Sequence, residues 1–375
     1  MALLNCLSVV LLLLIMNSCG YLAGPVSYAP TNGLLPNGNF EEGPDPSNMN
    51  KKKIIKGKYS LPKWVKKGLI RYISPGPQPG HRIFKVHAVR LGQNSSVAQY
   101  LRVKRQTYYS VSFSVSKSCF ADKFIRVGIV NQVESDYLLR NIYESEKPET
   151  YAWTFESSNY TTSIKLSFFS PPNHQRHSLC GPLLLAVALK EIKPLSQPTD
   201  NNLVKNGDFE NGAYVMKNFS SGVLLPPDSL TMISPLPGWT IKSKDPIKTI
   251  KYIDSQHFKV PKGRYGIELL GEESTLSQLI PTIPNQFYNL TFITGDARNG
   301  CIGNLYLKAF AGNQSVVVEH VSQGKGKTRF GNLRFQAVNQ TTTISFMSLL
   351  SHSPDFGTTF CGPILDDVKV VPNAL

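Results

Sequence analysis

Nine cations and no acid stand within residues 51–71, KKKIIKGKYSLPKWVKKGLIR. Such a cluster raises the local positive potential and reads as a footprint for a polyanion. Lys51, Lys52, Lys53, Lys56, Lys58, Lys63, Lys66, Lys67 and Arg71 are the candidate contacts. An ammonium group is a compact point charge, so a lysine patch gives affinity with little fine specificity. The same run reads equally as a solvated loop that keeps the protein soluble.

The rest of the charge follows the same asymmetry. Residues 25–198 carry 24 Lys+Arg against 11 Asp+Glu, whereas residues 199–375 carry 16 against 14, so the whole +15 is split as +13 and +2.

Carboxylates are the other groups that could do chemistry. Glycoside hydrolysis needs two of them flanking the scissile bond, and the second half offers Asp254, Glu268, Glu272, Glu273 and Asp296. The matched positions of the first half hold Arg90 for Glu268, and Ser95 or Ser96 near the Glu272–Glu273 pair, so the halves share no acid pair. No G-x-S-x-G or H-E-x-x-H motif is present. His174 and His177 precede Cys180 in one half alone and read as a solvated loop. The expectation is a protein that is not an enzyme.

Compartment comes from the chain's start and its thiols. Residues 7–16, LSVVLLLLIM, form an apolar run of signal-peptide length followed by small residues, so residues 1–24 are expected to be a signal peptide. No later stretch has the length of a membrane span. Outside the signal lie Cys119, Cys180, Cys301 and Cys361, and the spacing within each half is nearly equal. Four cysteines allow three pairings, and the matched spacing favours 119–180 with 301–361. Two pairs of free thiols are the competing reading, disfavoured in an oxidising compartment. Six sequons, at Asn94, Asn159, Asn218, Asn289, Asn313 and Asn339, suit a secreted glycoprotein. Such a protein does not meet nucleic acid, which removes the usual partner of a basic cluster.

The elements that must position these groups are written twice. LLPNGNFEEGP (34–44) returns as LVKNGDFENGA (203–213), LPKW (61–64) as LPGW (236–239), and CGPLLLAVAL (180–189) as CGPILDDVKV (361–370). The order is the same in both halves, so the chain reads as a tandem duplication, 25–198 and 199–375, joined near KPLSQPTDNN (193–202). Segments such as YYSVSFSV (108–115) and TTSIKLSFF (161–169) alternate polar and apolar residues, the period of half-buried strands. With 28 Gly and 26 Pro punctuating it, the chain is expected to be all-β, two jelly-roll β-sandwiches. Trp64 and Trp239 occupy matched positions before strand-like sequence. Sugar stacking is one role for them, but a duplicated core residue is favoured, and Tyr72 and Tyr252 read the same way.

These motifs, together with SPLPGW (234–239), KYIDSQHFKVPKG (251–263) and GKGK (324–327), resemble the plant cell-wall family known as domain of unknown function 642, over about residues 33–371. The resemblance implies two galactose-binding-like jelly rolls, secretion to the plant cell wall (the apoplast) and no catalysis. It also implies binding of wall polysaccharide (pectin, cellulose or hemicellulose) and pectin methylesterase as a protein partner. In an apoplastic setting, demethylated pectin is the polyanion the basic tract would meet. Jelly rolls of this kind often hold a structural Ca²⁺ with an early Glu, a late Asp and backbone carbonyls, the hard oxygen ligands that Ca²⁺ requires. By that resemblance Glu210 and Asp366 are the pair in the second half, whereas the first keeps Glu41 but has Leu185 in place of the Asp. The plain alternative is that the NG-[ND]-FE phrase makes a turn and caps backbone donors. No cofactor is otherwise required.

Overall fold

The computed structural model describes residues 26–28, 32–78, 82–116, 124–129, 133–138, 148–159, 163–172, 180–193, 195, 202–217, 221–228, 233–243, 250–272, 274–350 and 360–373. The expected signal peptide, Cys119, Asn218, Glu273 and the pair His174 and His177 lie outside them. Among the described residues every regular element is a strand except one turn of 3-10 helix, Pro46–Asn48. The chain is all-β.

Alternation builds the strands. Ser163–Ser170 and Thr341–Ser348 bury every second residue, as the sequence period requires. In the first sandwich Val26–Tyr28, Ser95–Arg102, Ser163–Ser170, Phe124–Ile129 and Val133–Leu138 pair in that order, with Val65–Lys67 also on Ser95–Arg102. They face Ile70–Ile73, Ala88–Leu91, Leu183–Glu191, Tyr108–Ser116 and Glu149–Glu156. The second sandwich repeats the plan. Thr240–Ser243, Ser274–Pro281, Thr341–Ser348, Ile302–Ala311 and Gln314–Gln323 lie over Ile250–Asp254, Tyr265–Leu269, Ile364–Pro372, Phe287–Gly295 and Thr328–Gln336. Each encloses an aromatic core, centred on Trp64, Phe113 and Phe168 in the first and on Phe209, Phe292 and Phe346 in the second. Burying one such side chain contributes roughly 1.5–3 kcal/mol.

The sandwiches are not separate. Val223–Leu225 runs parallel to Glu149–Glu156 on one side and antiparallel to Ile250–Asp254 on the other, so one twelve-stranded sheet passes through both repeats. Tyr151 and its partner Leu224 point into the first core, while Ala152, Val223 and Leu225 point into the second. Side chains alternate across a sheet, so the two cores lie on opposite faces of this one. Thr154 and Ile233 exchange both backbone hydrogen bonds, at 3.0 and 3.3 Å, and reinforce the joint.

This joint explains a departure from the sequence pattern. The alternation in Tyr108–Ser116 predicts a solvated serine face, yet Ser110, Ser112 and Ser114 are fully buried. On the adjoining strand, in register with them, Ala186 and Ala188 pack against Tyr214 and Met216 of the second repeat. Small side chains let a neighbouring segment approach the sheet closely, which is what the Ser and Ala of this face permit.

Candidate functional site

The duplicated NG-x-F phrase is a corner, and it is built identically twice. Asn37 and Asn206 both take the left-handed conformation, φ 51°, which Asn tolerates better than most residues. The Asn37 amide accepts from Glu42 N and donates to Glu42 O, at 3.0 and 2.9 Å, and Asn206 does the same with Asn211 at 3.1 and 2.7 Å. The next residue must be glycine, because a Cβ on Gly38 or Gly207 would strike the carbonyl oxygen of Val187 or Val368. Trp64 and Trp239 donate from their indoles to the carbonyls of Asn37 and Asn206, and Tyr72 and Tyr252 donate to those of Phe40 and Phe209. Trp64 is 0% and Trp239 3% exposed, so neither offers a ring face to a sugar. Gln99 and Gln278 complete the staple by donating to Pro36 O and Lys205 O, a matched pair that sequence reading passed over.

Glu210 and Asp366 converge on one loop. Glu210 Oε1 accepts from Arg264 N at 2.5 Å and Tyr265 N at 3.1 Å, and its Oε2 faces Arg264 Nε at 3.3 Å. Asp366 accepts from Lys262 N at 2.8 Å and from Asp367 N at 2.7 Å. Burial pushes Asp366 up to about 7, with the negative Asp367 and Glu210 adding to the rise. Every oxygen of the pair already meets an N–H donor. As these side chains stand they cap the 262–265 loop, and among the described residues no group of three or more His, Cys, Asp or Glu is gathered. In the first repeat Glu41 has no such loop partner among the described residues, and Leu185 is buried in apolar company.

Other carboxylates are also engaged. Glu268 is fully buried and accepts from Lys251 Nζ at 2.9 Å, Asn299 Nδ2 at 2.7 Å and Gly362 N at 3.2 Å. Asp296 accepts from Arg298 N and Lys327 N and sits 3.4 Å from His320 Nε2. Asp254 sits 2.9 Å from His257 Nδ1, and Glu272 is exposed. In the first sandwich the strand register sets Arg71 opposite Arg90 where the second sets Lys251 opposite Glu268.

The basic tract is folded onto the first sandwich. Asp45 caps the 3-10 turn through Ser47 N, and the Asn50 side-chain oxygen accepts from Lys52 N and Ile54 N at 2.9 Å each. Met49–Ile55 and Ile54–Arg71 bridges then fix the path, with Ile55 and Leu61 buried beneath. This leaves Lys51, Lys52, Lys53, Lys56, Lys58, Lys63 and Lys67 exposed. Lys58 Nζ lies 5.1 Å from the ring centroid of the exposed Tyr59. Lys66 and Arg71 are half-buried: Lys66 donates to Gly68 O at 2.8 Å, and burial lowers its pKa. Among the described residues none of the nine makes an ion pair.

A cleft of about 1520 Å³ opens where the two repeats meet. Its first-repeat wall is the end of Leu183–Glu191, carrying Lys190, with Lys104 and Lys193; its second-repeat wall includes Tyr214, Arg264 and Tyr265. Asn211 Nδ2 donates to Lys193 O at 3.0 Å and ties the walls together. The Tyr265 ring stacks on Tyr252 at 5.1 Å, and Lys190 Nζ and the Arg264 guanidinium lie 5.9 and 5.8 Å from its centroid. None of these residues was legible as a site in the sequence, because the walls come from different repeats whose approach depends on the shared sheet.

Cys301 and Cys361 form a disulfide with Cα atoms 5.9 Å apart, across a separation of 60 residues. Cys180 is disulfide-bonded. Of the sequons, Asn94, Asn159, Asn313 and Asn339 are exposed, whereas Asn289 is half-buried within Phe287–Gly295. No helix among the described residues is long and apolar enough to cross a membrane.

The family described as "Protein of unknown function (DUF642)" matches residues 33–190 and 202–371. Protein TEEBE of Arabidopsis thaliana is 42% identical over 99% of this chain and 99% of its own. The Arabidopsis thaliana protein called DUF642 L-galactono-1,4-lactone-responsive gene 1 is 39% identical, covering 97% of this chain and 96% of its own. Among solved structures, TmCBM61 in complex with beta-1,4-galactotriose superposes with a TM-score of 0.28 and 18% identity, over 46% of this chain and 99% of that one. A likeness that slight carries no argument about this chain.

Proposed function

This chain belongs to the DUF642 family, and from that membership we propose that it is a non-catalytic protein of the plant cell wall that binds acidic polysaccharide, demethylated pectin above all. The observation that carries the reading is the set of exposed lysines within residues 51–67, held on a folded platform and none of them in an ion pair among the described residues. A polyuronate would supply the missing charges. The Cys301–Cys361 disulfide and the exposed sequons support an extracellular setting. The full engagement of Glu268, Asp296 and Asp254 supports a binding role over hydrolysis.

The test is retention of the full chain on polygalacturonate, highly methylated pectin and cellulose across a salt series. Binding to polygalacturonate is expected to fall steeply with salt, because exposed charges are screened within about 8–10 Å at physiological ionic strength. Reversing Lys51, Lys52, Lys53 and Lys67 to Glu should weaken retention on polygalacturonate sharply and flatten its salt dependence. Equal retention on cellulose with no salt dependence overturns the acidic preference. Capture of pectin methylesterase with no retention on any glycan puts an adaptor role in its place.

A further inference from the structure

The interdomain cleft holds a surplus of unmet positive charge. All but one of its acids face a basic side chain: Glu191 takes Lys104 at 2.8 Å, Glu210 takes Arg264, Asp367 takes Lys262 and Lys369, and Asp254 faces His257, whereas Asp208 accepts from Glu210 N. Lys190, Lys193, Lys205 and Lys217 line the same cleft, and no ion pair reaches them among the described residues. Lys193, Lys205 and Lys217 are exposed, whereas Lys190 is half-buried between the repeats. Its ammonium has the Tyr265 ring for company, Arg264 and Lys193 as like charges, and Glu210 as the nearby acid that Arg264 already holds.

We propose that this cleft is a second, selective site, which takes a carboxylate-bearing oligosaccharide of several residues with Lys190 as the inner anchor. The inference rests on the acidic-glycan reading above and deepens it from a surface to a site. The volume exceeds the roughly 300–1,000 Å³ of small-molecule pockets, which suits an oligomer better than one sugar. Because both repeats contribute walls, the site exists only in the tandem. The exposed tract and the cleft then divide the work. The tract captures a long polyanion through screened charge, and the cleft engages a short stretch of it, which multiplies avidity when one chain reaches both.

Lys190 gives the cleft a proton signature. Burial, then the like charges of Arg264 and Lys193, hold it down at about 8, with Glu210 opposing. A bound carboxylate favours the ammonium form, so binding near pH 8 takes up protons, whereas ordinary exposed lysines are fully charged there.

The experiment is calorimetric titration of the full chain with a short oligogalacturonate at pH 8, in buffers of different ionisation enthalpy. Wild type, Lys190→Met and the tract reversal are compared, each checked for an unchanged melting transition. The tract reversal is expected to bind the short oligomer as wild type does. Lys190→Met is expected to lose about tenfold or more in affinity and to lose the proton uptake. Lys205→Gln with Lys217→Gln gives a second variant at exposed positions and should weaken binding with the uptake retained. Binding by Lys190→Met indistinguishable from wild type overturns the cleft site while leaving the acidic-glycan reading standing. Failure of wild type to bind the oligomer, with retention on long polygalacturonate intact, also overturns the cleft. Failure on both polymers removes the reading on which it rests.

Discussion

The indole N–H of Trp239 donates to the carbonyl of Asn206 at 3.0 Å, and in the first repeat Trp64 does the same to Asn37 at 2.9 Å. The phrase that marks each repeat therefore pins the incoming chain to the tryptophan at the base of the core. Replacing Trp239 by Phe keeps most of the apolar volume but leaves a buried carbonyl without its donor, which costs about 1–3 kcal/mol. Thermal unfolding should show that loss for both Trp64→Phe and Trp239→Phe, with glycan retention unchanged at temperatures where the variants are folded. Lost retention in a stably folded variant would return the indoles to a sugar-stacking role.

The stability contributed by two buried carboxyls should fall as pH rises from acid to neutral. Asp366 is pushed up to about 7 and Asp228 to about 6, each chiefly by burial, while the unfolded chain releases those protons near 3.9. Between these limits the folded state binds more protons at these two groups than the unfolded one, so the stability they contribute is greatest below about 4 and declines toward pH 7. For Asp366 the difference is at most ~4 kcal/mol at 1.36 kcal/mol per pH unit, and other titrating groups add their own slopes. Asp366→Asn should flatten the dependence, measured as the gap between melting temperatures at pH 5 and pH 8. An unchanged gap would mean that Asp366 titrates normally.

The Glu210–Asp366 pair should respond to loop changes and not to Ca²⁺. Glu210→Ala removes the acceptor for two backbone N–H groups at Arg264 and Tyr265, for an expected loss of about 1–3 kcal/mol. Chelator and added Ca²⁺ should leave the melting temperature of the wild type where it is. A Ca²⁺-dependent rise, absent in Glu210→Ala, would instead show that the two carboxylates rearrange around an ion.

The two repeats should melt as one unit. A fragment ending at residue 198 lacks Val223–Leu225, which leaves Glu149–Glu156 as a bare sheet edge and uncovers Ala186 and Ala188. Unpaired edges recruit other chains. Size-exclusion chromatography should find the fragment dimeric or aggregated, with the full chain giving a single calorimetric transition. A monomeric, cooperatively folded fragment would show that the shared sheet is dispensable.

Much of this molecule is written locally. The alternation in Ser163–Ser170 or Thr341–Ser348 specifies a strand with one buried face because side chains in a strand point to opposite sides in turn. The near-equal spacing of Cys301 and Cys361 with the pair before them anticipated the disulfide between those two, and the matched tryptophans anticipated core positions. The tract 51–71 was legible as charge, since charge is a property of composition. What sequence left open was which surfaces would meet. The serines of Tyr108–Ser116 look solvated until the second repeat lies over their sheet, and Lys190 looks like one more surface lysine until Tyr265 comes to stand 5.9 Å away. A period of two can say that a strand has two faces, but it cannot say what covers the second. That is decided by a parallel pairing between Glu149–Glu156 of one repeat and Val223–Leu225 of the other, a long-range contact that no local pattern encodes.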